Sequence, residues 1–140
     1  MSISLINEIL KGIAKSLRDE FGESFNIYLN EVEQGLIEPC FFIMVLNPDV
    51  KQVLGRRYVL NCPVSVQFIS GEDREVINAQ GSRLFNCLEL ISVSGDLARG
   101  RNMSYSINED ILTFTVTYNI YFYKKQSEEF MDNLKHETEV

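Results

Sequence analysis

The stretch Tyr58–Ile69, YVLNCPVSVQFI, alternates strictly: Leu60, Cys62, Val64, Val66 and Phe68 are separated by Asn61, Pro63, Ser65 and Gln67. Successive strand side chains point to opposite faces, so a period of two specifies a sheet with one face buried. Pro63 has no amide hydrogen to give to a ladder, which predicts an edge position or a bulge. The alternation returns in Ile111–Lys124, where Phe114, Val116, Tyr118, Ile120 and Phe122 share one face. Thr113, Thr115, Thr117, Asn119, Tyr121 and Tyr123 share the other. The polar turn Asn108, Glu109, Asp110 joins this strand to Arg101–Ile107 as a hairpin. Two further strands are expected at Phe25–Glu31 and Cys40–Leu46. The segment CFFIMVL does not alternate and reads as a more central strand covered on both faces.

Two segments have helical spacing instead. Ile3, Ile6, Leu10, Ile13, Leu17 and Phe21 recur at steps of three and four, which predicts an amphipathic helix ended by Gly22. Gly12 inside it costs about 1 kcal/mol relative to Ala, and close packing against a sheet would account for its presence. A second helix is expected from Ser70, with Asp73 completing a box-like cap and Ile77, Leu84, Leu88 and Ile91 forming the buried stripe beside Phe85. The fold class that follows is α+β, two helices on one face of a mainly antiparallel sheet, in the order α-β-β-β-α-β-β. One domain is expected over residues 1–125. Residues 126–140 form a polar segment, flexible or docking onto a neighbour through Phe130, Met131 and Leu134.

Composition and chemistry restrict function. The 140 residues are 45% hydrophobic and 24% charged, with no apolar run near the roughly 20 residues of a membrane span. The N-terminus has no basic stretch ahead of an apolar core and no small-residue cleavage site, so no secretory signal and no membrane partner are expected. Cys40, Cys62 and Cys87 are odd in number and set among apolar residues, as buried thiols are. A net charge of −7 disfavours gripping nucleic acid by its phosphates. The one histidine, His136, lies far from any serine or cysteine in a nucleophile-like context. Glu31, Glu33 and Glu38 lack the ordered spacing of a calcium loop, and Glu72, Asp73 and Glu75 suit a helix N-terminus. No catalytic residue, metal or cofactor is expected.

Several features remain that suit an interface. Arg56 with Arg57, and Arg99 with Arg101, are basic pairs in an acidic chain, either solubilising loop charge or set to dock an acidic partner. Tyr121 and Tyr123 end a flat, polar strand face that is either solvated or a contact surface. Glu31, Glu33, Gln34 and Glu38 surround a turn, and Asp49 and Lys51 lie with Arg56 and Arg57 in the expected loop 47–58.

The segments IYLNEVEQGLIEPCFFIMVLNP (27–48), RRYVLNCPVSVQFI (56–69), LFNCLELI (84–91) and INEDILTFTVTYNIYFY (107–123) together resemble the tail terminator family of long-tailed phages, prophages and tail-like particles of Gram-positive bacteria. The likeness runs from the first helix through Tyr123. It implies a small α+β structural protein without enzymatic activity, forming a ring, typically a homohexamer, on the head-proximal end of the tail tube. Its implied partners are itself, the tail tube protein, and sheath and head-completion proteins. DNA would pass through the lumen without specific binding, and the protein would be made in the host cytoplasm for a virion or tail-like particle. The turn with Glu31, Glu33, Gln34 and Glu38, and the loop with Asp49, Lys51, Arg56 and Arg57, are the expected docking elements. A head–tail connector of another kind, or a small ligand-binding protein or enzyme, are the alternatives.

Overall fold

A computed structural model of the chain describes residues 2–29 and 37–124. Helix α1 (Ser2–Phe21) is followed by β1 (Asn26–Leu29), β2 (Cys40–Val45), β3 (Asp49–Leu54) and β4 (Arg57–Ile69). Helix α2 (Arg74–Leu88) then leads to β5 (Leu90–Val93), β6 (Asp96–Asn108) and β7 (Ile111–Tyr123). The strands form one sheet in the order β1-β2-β4-β7-β6-β5, with β3 also paired to β4.

The fold is α+β as expected, but the sheet is mixed and the order of elements is longer. β1 pairs parallel to β2, Asn26 opposite Cys40, while all other pairs are antiparallel. Two strands were not anticipated. Asp49–Leu54 lies in the segment expected to be a loop, and all six residues are exposed, so no burial alternation marks it in the sequence. It exists because the turn at Gly55, with φ of +59°, folds it back onto β4. β5 takes residues assigned to the end of the second helix. Ile91 is buried on a strand opposite Ala98, because Ser94 and Gly95, both at positive φ, close a tight hairpin there. β6 therefore begins at Asp96 rather than Arg101.

The second helix also starts later than expected. Asp73 occupies its N-cap without a side-chain hydrogen bond, and the Ser70 hydroxyl instead accepts from the Glu72 amide at 3.2 Å. Gly22, at φ +88°, follows α1 in the left-handed conformation, its amide donating to the Arg18 carbonyl. The hairpin at Glu109 and Asp110 has both residues at positive φ, the conformation of a two-residue type I′ turn. Pro63 is not on an edge strand, but it adjoins a bulge-like register break, where Asn47 and Pro48 face the single residue Cys62 between the Val45–Val64 and Asp49–Asn61 pairs. It sits within β4 opposite Thr117, and its carbonyl accepts from the Leu46 amide where β2 hands over to β3.

Both helices cover one face of the sheet, in a single core. Ile9, Leu10, Ile13 and Leu17 of α1 and Ile77, Leu84 and Leu88 of α2 pack with Val64, Val66, Phe114 and Val116. Phe21, Phe25, Phe41 and Phe68 cluster at one end, with ring centroids 4.9 to 6.5 Å apart. Cys40, Phe41, Phe42 and Ile43 are consecutive buried residues, so β2 is covered on both faces as its unbroken apolar run predicts. Tyr118 is fully buried and donates its hydroxyl proton to the Leu88 carbonyl at 2.5 Å.

Burial pushes the Cys62 thiol up to about 11. Burial, with a smaller contribution from Glu20, pushes Cys87 up to about 12. A folded value above the unfolded one stabilises the protein below the unfolded thiol range of about 8.5 and is lost as pH rises toward the folded value. Unfolding free energy is therefore expected to fall by about 1–2 kcal/mol for each of the two thiols between pH 8.5 and pH 10. Urea titrations at the two pH values measure this, and a Cys62→Ala chain with an unchanged pH slope would contradict it.

Candidate docking surface

The face of the sheet away from the helices is polar, and its two ends differ. Over much of its length, cross-strand hydrogen bonds already satisfy it. Gln67 donates to Thr113, Ser104 bonds with Thr115 at 3.2 Å, and the Asn119 amide bonds to Asn61. Ser65, opposite Thr115, is buried. The threonines of this face are thus largely engaged within the sheet.

Beyond Asn119 the face opens. Arg57 lies opposite Tyr123 and Val59 opposite Tyr121, which brings these side chains together. The Arg57 guanidinium sits 4.8 Å from the centre of the Tyr121 ring on this face, and on the opposite face of the same strand ends Lys124 sits 4.6 Å from that of Tyr58, which stacks on Phe122. Such cation–π contacts hold the cations without neutralising them. Among the described residues, neither Arg56, Arg57 nor Lys51 is in a salt bridge. Tyr121 and Tyr123 are 56% and 68% exposed, so the rings offer contact area rather than core packing.

β3 and its turn project alongside. Val50, Val53 and Leu54 are exposed there, Leu54 at 80%. Residues 49–57 carry Asp49 against Lys51, Arg56 and Arg57, a net +2 in a chain of −7, leaving −9 elsewhere. Much of that negative charge stands at the other end of β4, where Glu109 and Asp110 turn beside Ile69 opposite Ile111, and Glu72, Asp73 and Glu75 start α2. Thirteen residues of β4 at about 3.3 Å each separate the ends by roughly 40 Å.

On the other side of Tyr121 is a groove of about 360 Å³ between β7 and the β5–β6 hairpin, lined by Leu5, Leu97, Arg99, Tyr121 and Phe122 among others. Arg99 is paired with Glu89 at 2.9 Å. Leu97 is 73% exposed.

Of the residues singled out from sequence, Asp49, Lys51, Arg56, Arg57, Tyr121 and Tyr123 come together here, and Arg99 lines the adjoining groove. Arg101 stands apart, exposed opposite Thr117 in mid-sheet. Glu38 lies beside Gly71, near the acidic end. Glu31, Glu33 and Gln34 lie outside the described residues, as does the segment 126–140. Sequence reading missed Leu54 and Leu97. A lone leucine between polar residues gives no sign of whether it is buried, and only the peeling of β6 from β7 leaves Leu97 in solvent. Chemically the surface offers cations, rings and unpaired strand borders. Among the described residues no three His, Cys, Asp or Glu side chains converge as ligands of a metal would.

A family model described as phage tail terminator protein matches residues 8–129. No curated protein matches the chain. Solved structures do, and one of them, named only by a sequence identifier, is similar over 86% of this chain and 98% of its own. It has 14% identity and a TM-score of 0.46.

Proposed function

Since the chain belongs to the phage tail terminator family, we propose that it forms a ring on the head-proximal end of the tail tube, stops tube growth there and presents the surface to which the head joins. The family match over residues 8–129 is the observation that carries this reading. Stopping polymerisation needs no reaction, only one surface complementary to the tube and another that refuses the next tube subunit. The exposed basic and aromatic end of the sheet suits the first of these tasks. Identical subunits closing a ring use two different patches each, and the hexamer is the size the resemblance implies. The tail tube protein is the primary partner, with head-completion and sheath proteins on the outer face. The net charge of −7 suits a lumen that repels DNA phosphates and lets the genome slide.

The test is the length distribution of tails in a strain lacking the gene, seen by negative-stain microscopy. Tubes of uncontrolled length without heads are the expected result. Normal, head-bearing tails would remove the function, and normal-length tails without heads would favour a connector of another kind.

Reversing Arg56 and Arg57 together to Glu is expected to reduce the yield of head-bearing tails about tenfold or more, with thermal unfolding little changed, because exposed charges contribute little to stability. Titre and tail counts from the complemented strain measure it. Wild-type titre from the double variant would remove these arginines from the docking surface.

A further inference from the structure

The open end of the sheet, made of β3, the start of β4 and the end of β7, has two unpaired borders. β6 leaves β7 after Gly100 opposite Tyr118 and pairs with β5 instead, Ala98 opposite Ile91. Among the described residues, Asn119–Tyr123 therefore pairs with β4 alone. Backbone groups of a strand point to alternate sides. The Lys124 amide donates to the Arg56 carbonyl, so Asn119, Tyr121 and Tyr123 turn their N–H and C=O groups to the open side. On the far border, Asp49 and Lys51 face Asn61 and Val59, which leaves the backbone groups of Val50 and Gln52 directed outward.

We infer that these two borders bind each other between copies: β3 of one subunit adds as a strand to Asn119–Tyr123 of the next, continuing the sheet from subunit to subunit. Unpaired borders with exposed apolar side chains are templates for strand addition. The two borders differ, so the contact is head-to-tail and leaves one of each free for the next copy, as a ring requires. Charge favours a second copy as the occupant. The β3 hairpin is net +2 within an acidic chain, and the groove it enters contributes Asp96, its Arg99 being already occupied by Glu89. Leu54 and Leu97, the two most exposed large apolar side chains among the described residues, lie at these two borders. The inference deepens the terminator reading by naming its subunit contact, and its biological meaning rests on that reading.

Proline tests each border separately, because it removes an outward amide without breaking a ladder bond inside the subunit. By sedimentation of the full chain, wild type is expected to assemble, while Val50→Pro and Tyr121→Pro each remain monomeric. Each variant keeps one intact border, so their equimolar mixture is expected to form a 1:1 complex and nothing larger. Circular dichroism checks the folding of both. If a proline unfolds its copy, Leu54→Glu and Leu97→Glu repeat the design with side chains alone. Variants that assemble like wild type, a mixture that stays monomeric, or a wild type monomeric at its highest soluble concentration would each overturn the inference. A chain ending at Lys124 is expected to assemble normally; loss of assembly there, with both prolines tolerated, would give the groove to residues 125–140 instead. In the deletion strain, the wild-type gene restoring tail length tests the terminator role, and Val50→Pro restoring it equally well would sink only the strand contact.

Discussion

Phe41→Ala is expected to lower the unfolding free energy by about 3–5 kcal/mol. Phe41 is fully buried on β2, and its ring lies 4.9 Å from Phe21, 5.5 Å from Phe25 and 5.0 Å from Phe68. These neighbours come from the end of α1, the residue just before β1 and the end of β4. Truncation would remove the transfer free energy of a ring and leave a cavity between three elements that cannot collapse independently. Aromatic pairs add about 0.5–1.5 kcal/mol beyond area burial. Against a total of about 5–15 kcal/mol for a domain, the loss is a large share of stability. Urea unfolding followed by circular dichroism measures it. A loss below about 1.5 kcal/mol would mean that the site repacks and that the cluster is not what joins β1 to the body. Phe41→Leu, which keeps most of the volume, is expected to cost markedly less.

Gly12→Ala is the second change with a large expected effect, and its sign opposes helix propensity. In an open helix the substitution stabilises by about 1 kcal/mol. Here a Cβ on Gly12 would fall inside contact distance of the Ser92 carbonyl oxygen, with the Ile91 side chain at 3.4 Å. The obstacle is the backbone of β5, which is held by pairing with β6 and cannot rotate aside. Overpacking against fixed backbone belongs in the upper part of a range of about 1–3 kcal/mol, so a net loss of about 1–2 kcal/mol is expected once the propensity gain of about 1 kcal/mol is subtracted. An unfolding midpoint at or above wild type would show that α1 rides farther from the sheet than it does here. The same substitution at Gly81 meets the Tyr105 ring, a half-buried side chain that can move, and is expected to cost less.

The prediction at Gly12 joins what could be read early to what could not. A glycine inside an amphipathic stripe signals close approach, and close approach to a sheet is what the fold contains. Which strand it approaches was not legible, because β5 was itself hidden. Leu90–Val93 continues the helical spacing of Ile77, Leu84 and Leu88, and the hairpin at Ser94 and Gly95 is what converts it to a strand. β3 was hidden for the opposite reason. It buries nothing, so the periodicity that reveals β4 and β7 is absent from it. The parallel pairing of β1 with β2 depends on a connection through residues 30–36 and on which border of β2 is free, and neither is written in a short strand's composition.

The residues of the proposed docking surface divide in the same way. Arg56, Arg57, Tyr121 and Tyr123 stood out as basic or aromatic groups with no core role, and the register of β4 against β7 places them side by side. Leu54, Leu97 and the unpaired backbone of Asn119–Tyr123 carried no such sign, since a free border is a property of the neighbour that is missing. By itself the sequence determined the elements whose burial alternates: α1, α2, the two long strands, the turn at Glu109 and Asp110, and a fold of helices on one sheet face. Only the tertiary structure decided that β6 abandons β7 at Gly100 and that β3 extends beyond β2. The physical reason is that burial of apolar faces is local and periodic, hence legible along the chain, while strand borders are settled by which distant segments win the pairing.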